Sequence, residues 1–326
     1  MPSRRQLLAA SAWLAATHVR SRAAAQTLAQ PARIIVGFAA GGGTDIVARL
    51  LAEALRGPYA STVIVENKPG AAARAAIEYV KNAEPDGSVM LITPDFPMTV
   101  YPFSFRALNY DPVRDFAAVA PVTRSMLTYN IGPAVPGEVR SLAGFVQWCR
   151  ANPGKANYAT TAAGGTPHFV GMMLANSARL PMTPVHYRGG APALADLFGG
   201  HVSASVNPVS EILSFARSGM LRTLAVTGSR RSPFLPDVPS MREQGYDVVI
   251  DSWTGVFVPA RTPAATVDAL NAAIGEALRT PSMVAMLAKQ GNEPALQSPA
   301  EFAATIAADL KRWGPVVKAS GFLAED

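Results

Sequence analysis

The sequence has one cysteine, Cys149, among 326 residues. A single thiol closes no intrachain disulfide, and its mid-chain position keeps it from being the lipidated first residue of a processed protein. It reads as a buried, inert thiol. Histidine is also scarce: His168, His186 and His201 are the only ones beyond His18, and none has metal-ligand spacing. No G-x-S-x-G elbow, H-E-x-x-H or C-x-x-C is present, so the common hydrolase, zinc-protease and dithiol signatures are missing. No Lys-Ser or Lys-Thr follows the glycines Gly41-Gly42-Gly43, which excludes a nucleotide P-loop, and those glycines do not form the G-x-G-x-x-G of a dinucleotide fold. No enzyme and no cofactor are expected.

Acidic residues are absent before Asp45, whereas Arg4, Arg5, Arg20 and Arg22 precede it. Arg4-Arg5, the short apolar run Leu7 to Val19 and the small residues Ala23-Ala24-Ala25 read as an export signal cleaved before Gln26. The run is too short to span a bilayer, which takes roughly 20 apolar residues, so no retained anchor is expected. Ser3-Arg4-Arg5-Gln6-Leu7-Leu8 also fits the twin-arginine route, with general export as the alternative. Removing residues 1–25 takes four of 29 basic residues and none of 23 acidic ones, leaving 25 minus 23, a net charge of +2. The basic excess of the chain thus belongs mainly to the leader, and no nucleic-acid partner is expected. About 300 remaining residues suggest two domains.

What is present is organised around Arg33 to Leu55. Arg33-Ile34-Ile35-Val36 has the β-branched, apolar character of a buried strand, and Gly41-Gly42-Gly43 breaks it where unusual backbone angles are needed. A helix follows, with Ile46, Val47, Leu50, Leu51 and Leu55 on one face and Arg49 and Glu53 on the other. A helix start preceded by glycines offers backbone N–H groups and the positive end of the dipole to a small anion such as a carboxylate or phosphate. Val63-Ile64-Val65 and Val89-Met90-Leu91-Ile92 read as further strands around a helix from Ala71, the grammar of a doubly wound α/β sheet. Pro94 to Pro112, rich in proline and aromatics, reads as an irregular surface excursion. Phe116 to Thr123 and Tyr129 to Ile131 read as extended segments leading out of the first domain.

The second unit repeats the pattern, with strand Asn157-Tyr158-Ala159, glycine turn Ala163-Gly164-Gly165-Thr166 and a helix from His168. Strands at Val185-His186-Tyr187, Val202 to Val206 and Leu224-Ala225-Val226 alternate with helices. Gly255 to Val258 reads as a strand returning to the first domain. The last helix, Pro299 to Ala319, carries Phe302, Ile306, Leu310, Trp313 and Val317 on one face. The expected architecture is an α/β, two-domain, periplasmic-binding-protein-like fold in which each domain is a sheet flanked by helices. The chain crosses twice through a hinge, and a ligand cleft lies between residues 26–127 with 254–326 and residues 128–253.

Ile35-Val36-Gly37-Phe38-Ala39-Ala40-Gly41-Gly42-Gly43-Thr44-Asp45-Ile46-Val47-Ala48-Arg49 is followed by Val65-Glu66-Asn67-Lys68-Pro69-Gly70, Pro85-Asp86-Gly87 and Tyr110-Asp111-Pro112. Later come Gly164-Gly165-Thr166 with His168, Tyr187-Arg188-Gly189, Asp196-Leu197-Phe198-Gly199-Gly200, Leu235-Pro236-Asp237-Val238-Pro239 and Trp253-Thr254-Gly255-Val256-Phe257. In order and spacing these segments resemble the Bug-type substrate-binding proteins of tripartite tricarboxylate transporters, over essentially the whole exported chain.

That resemblance implies a periplasmic solute-binding protein, monomeric, that holds a small carboxylate in its cleft and delivers it to the permease subunits of a tripartite tricarboxylate transporter. The alternatives are a ligand sensor for a membrane signalling kinase and, further off, an exported hydrolase. By resemblance, the loop Phe38 to Asp45, with Phe38, Ala40, Gly42, Gly43, Thr44 and Asp45, meets the ligand carboxylate through backbone N–H groups and water. Thr161, Gly164, Thr166 and His168 contribute from the other side. Asp45, being acidic, is expected to act as a cap, a water anchor or an amine partner, the cap being favoured. Asp251 is a further candidate, although nothing in the sequence places it beside Asp45. Two departures bear on specificity. Ala71-Ala72-Ala73-Arg74 replaces a glycine-rich stretch, so Arg74 reads either as a clamp on a second carboxylate or as a solvated surface arginine. Asn207 stands where relatives commonly carry an acid, which argues against an amino-acid ligand.

Overall fold

A computed structural model describes residues 28–324; the expected leader and the cleavage point before Gln26 lie outside the described residues. Strand β1 (Ala32–Val36) pairs in parallel with β2 (Val63–Asn67) and β3 (Val89–Pro94). Its side chains are buried on both faces. Ile34 and Val36 join a cluster with Val47, Leu51 and Leu55 of helix α1 (Gly43–Leu55), while Ile35 joins Ile77 and Val80 of α2 (Arg74–Lys81) on the opposite face. The β-branched run needs both layers to be covered, and the two helices supply them.

After Pro94 the chain does not leave the fold. Asp95–Thr99 (α3) and Tyr101–Ser104 (α4) are short helices, and Phe96, Val100, Tyr101 and Phe105 are buried in one cluster with Tyr129, Phe145, Phe169 and Trp313. The expected surface excursion is therefore an interior element: Phe96, Tyr101 and Phe105 are covered largely by the second half of the molecule, and Tyr110 packs beside Met98 and Phe116. Among its aromatic side chains only Phe103 turns outward, at 37% exposure.

The two extended segments expected at 116–123 and 129–131 form one strand, β4 (Phe116–Ile131). Its first part pairs with β9 (Asp251–Pro259), from Phe116 opposite Pro259 to Met126 opposite Asp251, with register shifts between Ala118 and Ala120 and between Pro121 and Thr123. Its last part, Leu127 to Ile131, pairs with β7 (Ala204–Pro208) and β8 (Arg222–Val226). On the second side β5 (Asn157–Thr160) lies parallel to both β6 (Thr183–His186) and β7. With the short β10 (Glu293–Pro294) on β4, the strands form one ten-stranded sheet, with the path β2-β1-β3-β9-β4-β7-β5-β6. The chain enters the second half along β4 and returns along β9, which are the two hinge crossings.

Helix α5 (Leu142–Ala151) covers the second half with α6 (Thr166–Ser177), α7 (Gly190–Phe198) and α8 (Val209–Arg217). Cys149 of α5 is buried, and burial pushes its thiol up to about 12. Helices α9 (Ala264–Arg279) and α10 (Pro281–Lys289) pack against α1 and β4. The last helix, α11 (Pro299–Ser320), serves both halves: Phe302 and Ile306 pack beside Ile35 and Phe257, whereas Trp313 and Val317 pack beside Phe169 and Leu127. A 22-residue helix is long enough to do both.

Between β2 and α2 the backbone adopts a conformation suited to glycine with alanines in place. Ala71, Ala72 and Ala73 have φ of 44°, 55° and 72°. Ala73 also explains Gly37, where an added Cβ would lie 2.5 Å from the Ala73 Cβ. The left-handed conformation costs an L-residue roughly 1–2 kcal/mol, part of which a glycine forfeits through its greater freedom in the unfolded chain. Ala72→Gly should therefore raise the stability by about 0.5–1 kcal/mol in urea unfolding; a loss of stability would show that the alanine methyl contributes more than the strain removes.

Candidate ligand-binding cleft

The carboxyl ends of β1, β3, β5 and β7 face a common space, and each is followed by a turn and a helix. Helix α1 starts after Gly42, α6 after Gly165 and α8 after Pro208, and α7 starts after Gly189 at the end of β6; none of the four has a side-chain cap. Elsewhere Ser141, Thr280 and Ser298 accept a first-turn N–H and close the starts of α5, α10 and α11. Glycine and proline offer no such oxygen, and the starts of α2, α3, α4 and α9 are uncapped too. At α6 Pro167 has no N–H and His168 N–H donates to Gly165 O at 3.0 Å, so Thr166 N–H alone is left there. In contrast, α1, α7 and α8 leave the N–H groups of residues 43–45, 190–191 and 209–211 for something else.

A cavity of about 420 Å³ lies where they meet. Phe38 to Thr44 line it from the first half, Thr161, Thr166 and Pro167 from the α6 turn, Arg188 to Pro192 from the α7 turn, and Pro208, Ser210 and Glu211 from α8. Pro94, Asp95 and Phe96 form one wall, and Ser252, Trp253 and Thr254 of β9 form the floor shared by both halves. The halves approach closely: a Cβ added to Gly43 would lie 3.4 Å from Ser210 Oγ.

Of the residues singled out from the sequence, Phe38, Ala40, Gly42, Gly43, Thr44, Thr161 and Thr166 line this cavity. Asp45, Arg74, Gly164, His168, Asn207 and Asp251 do not. Asp45 is 2% exposed and turned inward. Its Oδ2 accepts the Gly41 N–H at 2.8 Å and Arg49 Nε at 2.9 Å, and its Oδ1 accepts Asn67 Nδ2 at 2.8 Å. Burial alone would raise its proton affinity, but the bonds from Arg49, Gly41 and Asn67 prevail and hold the carboxyl below the usual range. It organises the loop by capping Gly41, not the helix. Asn67 Nδ2 also donates to Phe38 O at 3.1 Å, so the loop is tied at both ends.

Arg74 lies over the Phe105 ring, 4.6 Å from its centre, and donates to Ala71 O at 3.0 Å. Gly164, at φ 67°, has room for no side chain against Ser104 and Phe322. His168 is buried beside His186 and Phe322, and its Nδ1 accepts the Gly164 N–H at 3.3 Å. Burial, with His186 adding to it, pushes His168 down to about 3, so it is neutral and shapes the α6 turn from behind. Asn207 Nδ2 donates to Glu211 Oε2 at 2.9 Å. Asp251, the first residue of β9, lies opposite Met126 of β4, next to the floor residues.

Sequence reasoning did not single out Asp95, Glu211 or the Arg188-Gly189-Gly190 turn. The last carried the same signal as the other two loops, glycines before a helix; Asp95 was hidden in a stretch read as surface. Asp95 is 1% exposed and receives hydroxyl bonds from Ser252 and Thr166. Burial and the neighbouring Asp309 push its carboxyl up to about 7, against those two hydroxyl bonds. Burial also raises Glu211, which Asn207 opposes. Among the described residues no group of three His, Cys, Asp or Glu side chains could hold a metal ion, and no helix is long and apolar enough to cross a membrane.

The family model described as tripartite tricarboxylate transporter family receptor matches residues 47–322. Protein BugT of Bordetella pertussis is 32% identical over 297 residues, 90% of each chain. A solved R. palustris protein with adipate superposes with a TM-score of 0.84 at 29% identity, covering 90% of this chain and 98% of that one. The periplasmic binding protein BugD superposes with a TM-score of 0.81 at 28% identity, covering 90% and 99%.

The raised carboxyl gives a pH dependence with a definite sign. An unfolded aspartate ionises near ~3.9, whereas Asp95 in the fold keeps its proton up to about 7. The unfolded chain releases that proton first, so this group's contribution to stability falls as pH rises between the two values. Asp95→Asn should flatten the decline of Tm between about pH 4 and 7 and raise Tm above it, leaving the slope due to Asp309, which burial also raises. Thermal melts of both proteins across that range check this; an unchanged slope would place the titration elsewhere.

Proposed function

The chain belongs to the tripartite tricarboxylate transporter receptor family, and on that premise we propose that its cleft captures a small carboxylate outside the cytoplasm for delivery to the permease subunits of such a transporter. The observation that carries this is the convergence of four helix starts without side-chain caps, two halves contributing, on one cavity of about 420 Å³. Each start favours a negative charge by roughly 0.3–1 kcal/mol or more where water is excluded, and the N–H groups supply the hydrogen bonds a carboxylate accepts. The adipate in the R. palustris relative is such a ligand.

The mechanism follows from the two crossings. A carboxylate touching α1 from one side and α6 to α8 from the other binds the closed form better than the open one, and it shifts the population by that difference in affinity. The membrane partner then reads closure. Thr44 holds the ligand by hydroxyl and backbone and Thr166 by its backbone N–H, its hydroxyl being given to Asp95; Phe38 and Trp253 cover the apolar part, and Asp45 keeps the first loop in shape. The protein acts as a monomer without cofactor, nucleic acid or catalysis, and it is exported with cleavage before Gln26, by the twin-arginine or the general route.

Thermal-shift measurements on the chain from Gln26 onward, with mono-, di- and tricarboxylates, amino acids and aromatic acids, test this. Ligand at a hundredfold excess over its Kd should stabilise the fold by about 2.7 kcal/mol; no shift with any acid would sink the carboxylate assignment. Gly43→Trp, which fills the space facing Ser210, and Thr166→Trp should each abolish the shift without unfolding the protein. Binding that survives both would mean the ligand sits elsewhere.

A further inference from the structure

Asp95 is the acid of the cleft that carboxylate capture leaves unused. It lies in the cavity wall at the start of α3, 1% exposed. Ser252 Oγ donates to its Oδ1 at 2.9 Å and Thr166 Oγ1 to its Oδ2 at 3.1 Å. Both oxygens act as acceptors, and the donors come from β9 and from α6, so the group is fixed by the floor and by the opposite wall. Arg188 is the only basic side chain lining the cavity, and it is exposed, whereas Glu211 adds a second acid. Arg312, which acts on Asp95 from α11, is itself paired with Asp309 at 2.9 Å.

Once Asp95 has lost its proton, above about pH 7, it is a carboxylate held away from water with no cation bonded to it, which is costly, and a plain dicarboxylate would add to that cost at the wall while gaining at the helix starts. A zwitterion avoids the conflict: its carboxylate meets the helix starts and its ammonium group meets Asp95, whose oxygens are already oriented to accept. We propose that Asp95 is a specificity residue that selects small amino acids, ligands with one carboxylate and one protonated nitrogen, over dicarboxylates of the same length. This rests on the carboxylate-binding reading of the cleft. An amino-acid ligand does not require an acid at position 207, because Asp95 supplies one from the facing wall.

Isothermal titration at about pH 8, where Asp95 is ionised and an aliphatic amine still protonated, tests the assignment with matched pairs: 4-aminobutanoate against succinate, and 5-aminopentanoate against glutarate. The native protein should bind the amino member of at least one pair about tenfold tighter or more. Asp95→Asn and Asp95→Ser, each checked for folding by its melt, should bring that ratio down to about one. A preference for the diacids, or a ratio unchanged in both variants, overturns the proposal while leaving the carboxylate cleft in place; no binding of any acid overturns both.

Discussion

The antiparallel pairing of β4 with β9 is the constraint on which the rest depends. From Phe116 opposite Pro259 to Met126 opposite Asp251 the two strands run together. They hold β3 on one flank, through β9, and β7 on the other, through β4. The parallel strands of both halves thereby end on the same space, and the turns that follow them have nowhere else to point. The last residues of β9 in the pairing with β4, Ser252 to Thr254, become the floor of the cleft. The strands that join the halves thus also supply part of the lining of the cavity between them. Helix α11 ties the halves together, since Phe302 is buried among first-half residues and Trp313 in a cluster that draws residues from both halves.

Within that frame the electrostatics are divided between backbone and side chains. Apart from the exposed Arg188, positive potential comes from helix starts, which cannot be neutralised by a proton and do not move with a rotamer, whereas the two acids at the cavity, Asp95 and Glu211, have raised proton affinity. Arginine is used elsewhere: Arg49 secures Asp45, Arg74 lies on Phe105, and Arg222 donates to the carbonyl oxygens of Gly132, Val135, Pro136 and Val139 around the end of β4. A lining with little flexible cationic side chain makes selectivity depend on where each donor sits, and a one-residue change in the wall, such as an acid at position 95, weighs heavily in it.

Much of this was legible in the sequence, and the limits are physical. The α/β order, the strand–glycine–helix loops and the faces of the last helix follow from periodicity and turn chemistry, which are local. The glycine turns pointed to the loops, and the family resemblance pointed to Gly42, Gly43, Thr44, Thr161 and Thr166 within them, all of which line the cavity. Asp95 was not legible, because Pro94, Pro97 and Pro102 with their aromatic neighbours give no period, and only the covering by Tyr129, Phe145 and Phe169 from the second half makes the segment interior. The single 16-residue β4 was read as two segments because Arg124 and Ser125, in the stretch between them, give no strand signal, whereas pairing with β9 carries the strand straight through. The left-handed alanines at 71–73 lie beyond any propensity argument, because alanine gives no sign of positive φ.

Asp45 shows how direction separates residues that sequence treats as one. Thr44 and Asp45 are neighbours in the first turn of α1, but successive side chains there diverge by about 100° around the axis. Thr44 falls toward the cavity; Asp45 falls toward Arg49, one turn further on, and Asn67 at the end of β2. Had the acid faced the cavity, its charge would oppose the potential of the very helix start that carries it. Turned inward and bonded on both oxygens, it instead fixes the Gly41 N–H and, through Asn67, the Phe38 carbonyl, so the loop is shaped before any ligand arrives. The negative charge needed to hold the loop is thus kept behind the helix start and paired with Arg49, and the front is left open to the charge of the ligand.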